Sequence, residues 1–155
     1  MAGQGCIWLD RCLADMRHVH ISRLPAYDYR SDGWYFVTIN SRLRLPIFAG
    51  HEELVTGIFR SVAKDVTGVI VDTIKVMPDH VHCLLKLEGS ALALGEIIRR
   101  MKVKVSYVLN QTCWQSNYYE HVVRSDEALY LIREYIRRNE ELTELKKKSR
   151  IGRSP

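Results

Sequence analysis

Apolar patterning that alternates in the order β, α, β, β, α, β, α predicts an α+β fold of the ferredoxin-like split βαβ plan. Its sheet is antiparallel, and an added C-terminal helix carries a tyrosine. Two further observations support this. A central pair of β-branched runs is separated by a Pro-Asp turn signal, and 155 residues with 46% hydrophobic content suit a single core.

The elements follow in order. Residues 1–22 have no clear period and read as a flexible N-terminal extension; the patterned domain spans 23–145, and 146–155 form a basic tail. Trp34-Tyr35-Phe36-Val37-Thr38-Ile39 is dense in β-formers behind Asp32-Gly33, which predicts the first strand. Residues 52–65 carry Leu54, Val55, Ile58, Phe59 and Val62 at helical spacing, closed by Thr67-Gly68. The runs 68–76 and 80–87 flank Pro78 and predict a hairpin. Residues 92–109 repeat apolar positions at Leu94, Ile97, Ile98, Met101, Val105 and Val108. Arg99, Arg100, Lys102 and Lys104 fall between them, giving a helix with one basic side. A short strand is expected over 117–124. Ser125 then suits an N-cap ahead of Asp126 and Glu127, opening a helix that runs to about 141 or beyond.

Composition narrows the function classes. A net charge of +5 is compatible with a polyanionic partner without requiring one. Cys6, Cys12, Cys83 and Cys113 lack C-x-x-C spacing, so neither a zinc ribbon nor a disulfide framework is expected. No apolar stretch approaches the roughly 20 residues that span a bilayer, and no signal peptide pattern opens the chain. A cytoplasmic protein without a membrane partner is the expectation. There are no internal repeats.

The chemistry-bearing pattern is His80-Val81-His82, directly after Met77-Pro78-Asp79. On a strand, positions i and i+2 share a face, so both imidazoles stand on one surface with Val81 behind them. They could hold a metal, or one could cap the turn while the other is exposed. His18-Val19-His20 repeats the pattern in a stretch where nothing fixes ring orientation. Tyr135 and Asn139 are four apart and share a helical face with Ala128, Leu131 and Ile132, while Arg133, Glu134 and Arg137 point elsewhere. Tyr135 thus faces the sheet, either as a packed core residue or as a phenol in reach of a cation, which it would need to become a nucleophile near neutral pH.

Val76-Met77-Pro78-Asp79-His80-Val81-His82-Cys83-Leu84-Leu85 resembles the His-hydrophobic-His signature of single-tyrosine HUH transposases, most closely the REP-associated tyrosine transposases. Four further segments agree in order: Arg23-Leu24-Pro25-Ala26-Tyr27-Asp28-Tyr29, Gly33 to Ile39, Trp114 to Arg124, and Ile132-Arg133-Glu134-Tyr135-Ile136-Arg137-Arg138-Asn139. The likeness covers about residues 23–140. It implies metal ligation by His80, His82 and Asn139, a nucleophilic Tyr135, and Mg²⁺ or Mn²⁺ as the cation. It further implies cleavage and rejoining of single-stranded DNA near hairpins through a 5′-phosphotyrosine, by a monomer or homodimer. Because His binds metal only when neutral, activity is expected to fall below about pH 6.5.

Beside that resemblance, Arg99, Arg100, Lys102, Lys104, Arg137 and Arg138 read as phosphate-tracking residues, and Trp114, Tyr118 or Tyr119 as base-stacking ones. Two features depart from the family pattern. Glu140 stands where the family often has Pro, so the helix can continue, Asn139 can be aimed differently, and Glu140 or Glu141 can substitute as ligand. The chain also ends sooner than the family often does, which leaves a truncated mobile-element relic open as one reading. The rival readings are a catalytically inactive module that binds hairpin DNA and a hydrolase that activates water at the His pair.

Overall fold

The computed structural model describes residues 26–151. The expected extension 1–22, the His18/His20 pair, Cys6, Cys12 and the Arg23-Leu24-Pro25 start of the first resembling segment lie outside the described residues. The elements are β1 (Gly33–Asn40), α1 (Glu52–Lys64), β2 (Val69–Met77), β3 (His80–Leu87), α2 (Leu94–Leu109), β4 (Tyr119–Val123) and α3 (Asp126–Ile151). Type and order match the pattern read from the sequence. The sheet order is β2-β3-β1-β4 with every pairing antiparallel, so β3 lies between β1 and β2, as the split βαβ plan requires.

Alternation along the central strands divides the molecule into two layers. Tyr35, Val37 and Ile39 of β1 and Val81, Cys83, Leu85 and Leu87 of β3 face one way, into the core completed by α1 and α2. Phe36 of β1 and Leu84 of β3 face the other way, against Ala128, Leu129, Ile132 and Ile136 of α3. His80, His82 and Leu84 alternate with the first set, so the histidines belong to the α3 face. The buried arc of α3 differs by one position from the expected one, with Leu129 instead of Leu131 at its centre.

Two local devices hold the His-bearing strand and its opposing helix. The β2–β3 connection is the two-residue turn Pro78-Asp79, closed by the Met77–His80 pair. The segment after β1 clamps that turn: Ser41 N–H donates to the Asp79 carbonyl at 2.9 Å and Phe48 N–H to the Pro78 carbonyl at 2.9 Å. On β2 the register slips between Val71 and Thr73, a bulge that turns Asp72 toward α3. There Arg133 donates two hydrogen bonds of 2.8 Å to the Asp72 carboxylate and lies 5.1 Å above the Trp34 ring. Arg133 therefore points into the sheet flank, a correction to its expected outward aim: the bulge supplies a carboxylate that sequence periodicity does not reveal. Ser125 Oγ accepts from Ala128 N–H at 3.1 Å, the expected cap of α3.

Candidate active site

Register brings the site together before any side chain is considered. His80 pairs with Asn40 and Met77, and His82 with Thr38 and Lys75. Thr38 in turn pairs with Tyr119. One face of the sheet thus presents the row Lys75, His82, Thr38, Tyr119, with His80 and Asn40 one pleat further along.

The rings of His80 and His82 lie with centroids 4.7 Å apart. Tyr135 comes down from α3 with its ring 5.5 Å from that of His82, and Phe36 lies under both, 5.6 Å from His82 and 6.3 Å from Tyr135. Tyr135 is only partly buried, which separates it from a core tyrosine sealed by packing. One turn further, Asn139 is buried at 7% exposure. Asn40, Ser41, His82 and Asn139 are the buried polar or charged side chains among the described residues. They come from the end of β1, the start of β3 and the helix turn after Tyr135. Asn40 and His82 stand on the sheet face that carries His80, whereas Ser41 alternates to the other side and donates to the Leu45 carbonyl.

Each histidine has an oxygen at Nδ1. Asp79 Oδ1 lies 2.6 Å from His80 Nδ1, and Thr38 Oγ1 lies 2.9 Å from His82 Nδ1. With Nδ1–H donating to these oxygens, both rings keep the Nε2 lone pair for a cation. Arg44 holds Asp79 from its other oxygen at 3.1 Å and also donates to Asn40 Oδ1. Burial first, then the neighbouring His80 and Arg44, lowers the His82 pKa to about 3. Burial lowers that of His80 as well, against the upward pull of Asp79. His82 is therefore neutral well into the acid range and His80 is shifted in the same direction, which moves the expected loss of ligand capacity to a pH below about 6.5: desolvation outweighs ordinary imidazole basicity.

Two imidazole nitrogens, together with the amide oxygen of Asn139 if it joins them, would make a nitrogen-containing donor set, which Mn²⁺ accepts more readily than Mg²⁺ does. Among the described residues no group of three or more His, Cys, Asp or Glu could hold a metal ion. The side chain of Glu140 lies outside the described residues, and Glu141 is exposed. α3 does continue through Glu140, yet Asn139 remains buried.

The residues expected to bind DNA divide by face. Arg137 and Arg138 are exposed on the same helix as Tyr135, and each pairs with Glu134, at 3.2 and 3.7 Å. Arg99 and Arg100, paired with Glu96 at 2.8 and 3.0 Å, and the exposed Lys104 lie on α2, across the sheet from the histidines. Lys102 is spent on the fold: its Nζ donates to the Gln115 carbonyl at 2.8 Å and sits 5.9 Å from the Tyr118 ring, and burial lowers its pKa. Trp114 is a correction. Its indole is 9% exposed, packs 4.6 Å from Phe48 and donates to the Lys102 carbonyl at 3.0 Å, so it is a core side chain instead of a platform for bases. Tyr118 packs on that same core, leaving Tyr119 as the aromatic on the histidine face. Thr38, Arg44 and the Asp72–Arg133 pair carry no motif, and only the fold reveals them.

The family model for IS200-like transposases matches residues 31–139, well over half of the chain and inclusive of the whole His–Tyr–Asn constellation. This chain belongs to that family. The transposase is 27% identical to an uncharacterised protein of Haemophilus influenzae, over 81% of this chain and 90% of that one. Its fold is similar to that of a REP-associated tyrosine transposase solved bound to a REP hairpin. That match has a TM-score of 0.64 and 21% identity, and covers 77% of this chain and 72% of the other. A Deinococcus radiodurans protein assigned as a transposase matches with a TM-score of 0.52 and 18% identity, over 77% and 96% of the two chains. No helix among the described residues is long and apolar enough to cross a membrane.

Proposed function

We propose that this transposase cuts and rejoins single-stranded DNA beside a hairpin, with Tyr135 as nucleophile and a divalent cation, Mn²⁺ or Mg²⁺, held by His80, His82 and Asn139. The observation that carries this reading is the 5.5 Å approach of the Tyr135 ring to His82, itself 4.7 Å from His80. A cation held by these residues would polarise the scissile phosphate and lower the barrier to attack by the phenol oxygen.

The chain's own residues do the rest. Thr38 and Asp79 orient the two imidazoles, and Phe36 holds His82 and Tyr135 against the sheet. Tyr135 Oη attacks phosphorus in line; its Oη–P bond forms as the P–O3′ bond breaks, and the phenolic proton passes, net, to the 3′ oxygen, which leaves as a hydroxyl. A later 3′-hydroxyl attacks the 5′-phosphotyrosine, releases Tyr135 and seals the strand, so the bond energy is conserved and no hydrolysis intervenes. Arg137 and Arg138, beside Tyr135 on α3, are proposed to hold the flanking phosphates. The hairpin as a partner rests on the complex formed by the structural relative.

The test is covalent capture. Wild type incubated with Mn²⁺ and an oligonucleotide carrying a hairpin and a single-stranded flank is expected to form a denaturant-stable protein–DNA adduct. Tyr135→Phe abolishes it and His82→Ala reduces it by at least about a hundredfold. DNA binding without an adduct on any such substrate would favour the inactive binding module, and cleavage that survives Tyr135→Phe would favour the hydrolase.

A further inference from the structure

The turn Arg42–Arg44 leaves β1 two residues past Asn40, the register partner of His80. Leu43 (φ 56, ψ 19) and Arg44 (φ 56) are consecutive non-glycine residues in the left-handed region. Side chains bearing a Cβ disfavour that conformation, and neither leucine nor arginine tolerates it as asparagine does. The surroundings nevertheless impose it. Ser41 N–H donates to the Asp79 carbonyl, Arg42 N–H donates to the Cys113 carbonyl at 2.8 Å, Ser41 Oγ donates to the Leu45 carbonyl at 2.7 Å, and Arg44 is pinned to Asp79. What this enforced geometry does is display Leu43 at 76% and Leu45 at 51% exposure, with exposed Arg42 beside them. Nothing in the core gains from it. Strain maintained at a site, with apolar side chains held out into water, points to an occupant.

Charge and chemistry select the occupant. The turn contributes Arg42 and Arg44 with no acid of its own, and the carboxylate it touches, Asp79, is already engaged by Arg44 and His80. An apolar tip with a guanidinium beside it matches a nucleic acid strand, whose phosphates take the charge and whose unstacked bases take the leucine. We infer that the Arg42–Leu45 turn is a preformed wedge: Leu43 packs against bases unstacked next to the scissile phosphate, and Arg42 grips the adjoining phosphate. This deepens the proposed function and rests on it. The turn begins two residues past Asn40, the register partner of His80, and its Arg44 holds the Asp79 that bonds His80, so a strand parted there would enter the site already single-stranded.

The test uses a hairpin oligonucleotide with a single-stranded flank and 2-aminopurine placed beside the cleavage position, on the full chain. Leu43→Gly suits the left-handed backbone, so the variant folds with an unchanged or raised melting temperature. It is expected to bind about tenfold more weakly and to lose most of the 2-aminopurine brightening that wild type produces. Arg42→Gln is expected to lower affinity and make the log–log salt slope shallower by about 1. Leu43→Phe, which keeps an apolar tip, retains the brightening. Wild-type affinity and brightening in Leu43→Gly, with the Tyr135 adduct forming normally, would overturn the wedge and leave the nuclease reading intact. A change in self-association of Leu43→Gly, with DNA binding unchanged, would assign the turn to a protein contact instead. Absence of DNA binding by wild type would overturn both.

Discussion

Thr38 does for His82 what Asp79 does for His80: an oxygen at Nδ1 fixes the ring and leaves Nε2 for the proposed cation. Thr38→Val keeps the shape of the side chain and removes that oxygen. Mn²⁺ affinity measured calorimetrically on the apoprotein is expected to fall about 10- to 100-fold, with the fold unchanged by circular dichroism; equal affinity would make Thr38 a bystander. The buried, neutral His82 also sets a pH dependence of stability. In the unfolded chain it titrates near 6.5, in the folded one near 3, so between those values the unfolded state holds the extra proton. Stability is complete above the unfolded value and drains away as pH falls toward the folded one, by up to about 1.4 kcal/mol per pH unit. Denaturant titrations of the apoprotein from near neutrality down to about pH 4 should show that slope, and His82→Asn should flatten it. Parallel slopes for the two proteins would mean that another group governs acid unfolding.

Among the elements, α3 carries the burden of aim. It presents Tyr135 because Ile132 and Ile136 bury on Phe36 and Leu84, and because Arg133 clasps the bulged Asp72 two residues before the tyrosine. The clasp holds the Asp72 carboxyl below its usual range, chiefly through the Arg133 hydrogen bonds. Asp72→Ala should lower stability by about 1–2 kcal/mol, moderated by partial solvent access, and slow adduct formation more than DNA binding. If stability and adduct rate both match wild type, the clasp has no part in orienting the helix.

Much of this layout is legible in the sequence. The strand 34–39 and the run 80–87 announce themselves through β-branched and aromatic density, Pro78 places the turn, and the i, i+4 spacing of Tyr135 and Asn139 puts them on one face. Long-range pairings are not legible. Thr38 meets His82 across 44 residues and Asp72 meets Arg133 across 61, and neither pair follows a local period. Trp114 misleads because an aromatic among polar neighbours has the same composition whether it stacks on a base or, as here, closes a core. The left-handed turn at Leu43 is hidden because its residues are poor formers of the conformation they adopt.

Taken whole, the molecule is a sheet with two differently used faces. One is an apolar core under α1 and α2; the other carries the histidines and meets Tyr135 of α3. DNA engaged at the second face should contact Arg137 and Arg138 and not Arg99 and Arg100. Arg137→Gln and Arg138→Gln are each expected to make the salt dependence of binding shallower by about 1, whereas Arg99→Gln and Arg100→Gln leave it unchanged. The reverse pattern would put the nucleic acid on α2. The central claim is chemical, and peptide mapping of the captured adduct reads it directly. After nuclease trimming and proteolysis, mass spectrometry is expected to find a 5′-phosphoryl nucleotide on Tyr135; the same group on Tyr118, Tyr119 or Tyr130, or cut DNA with no modified tyrosine, would contradict it.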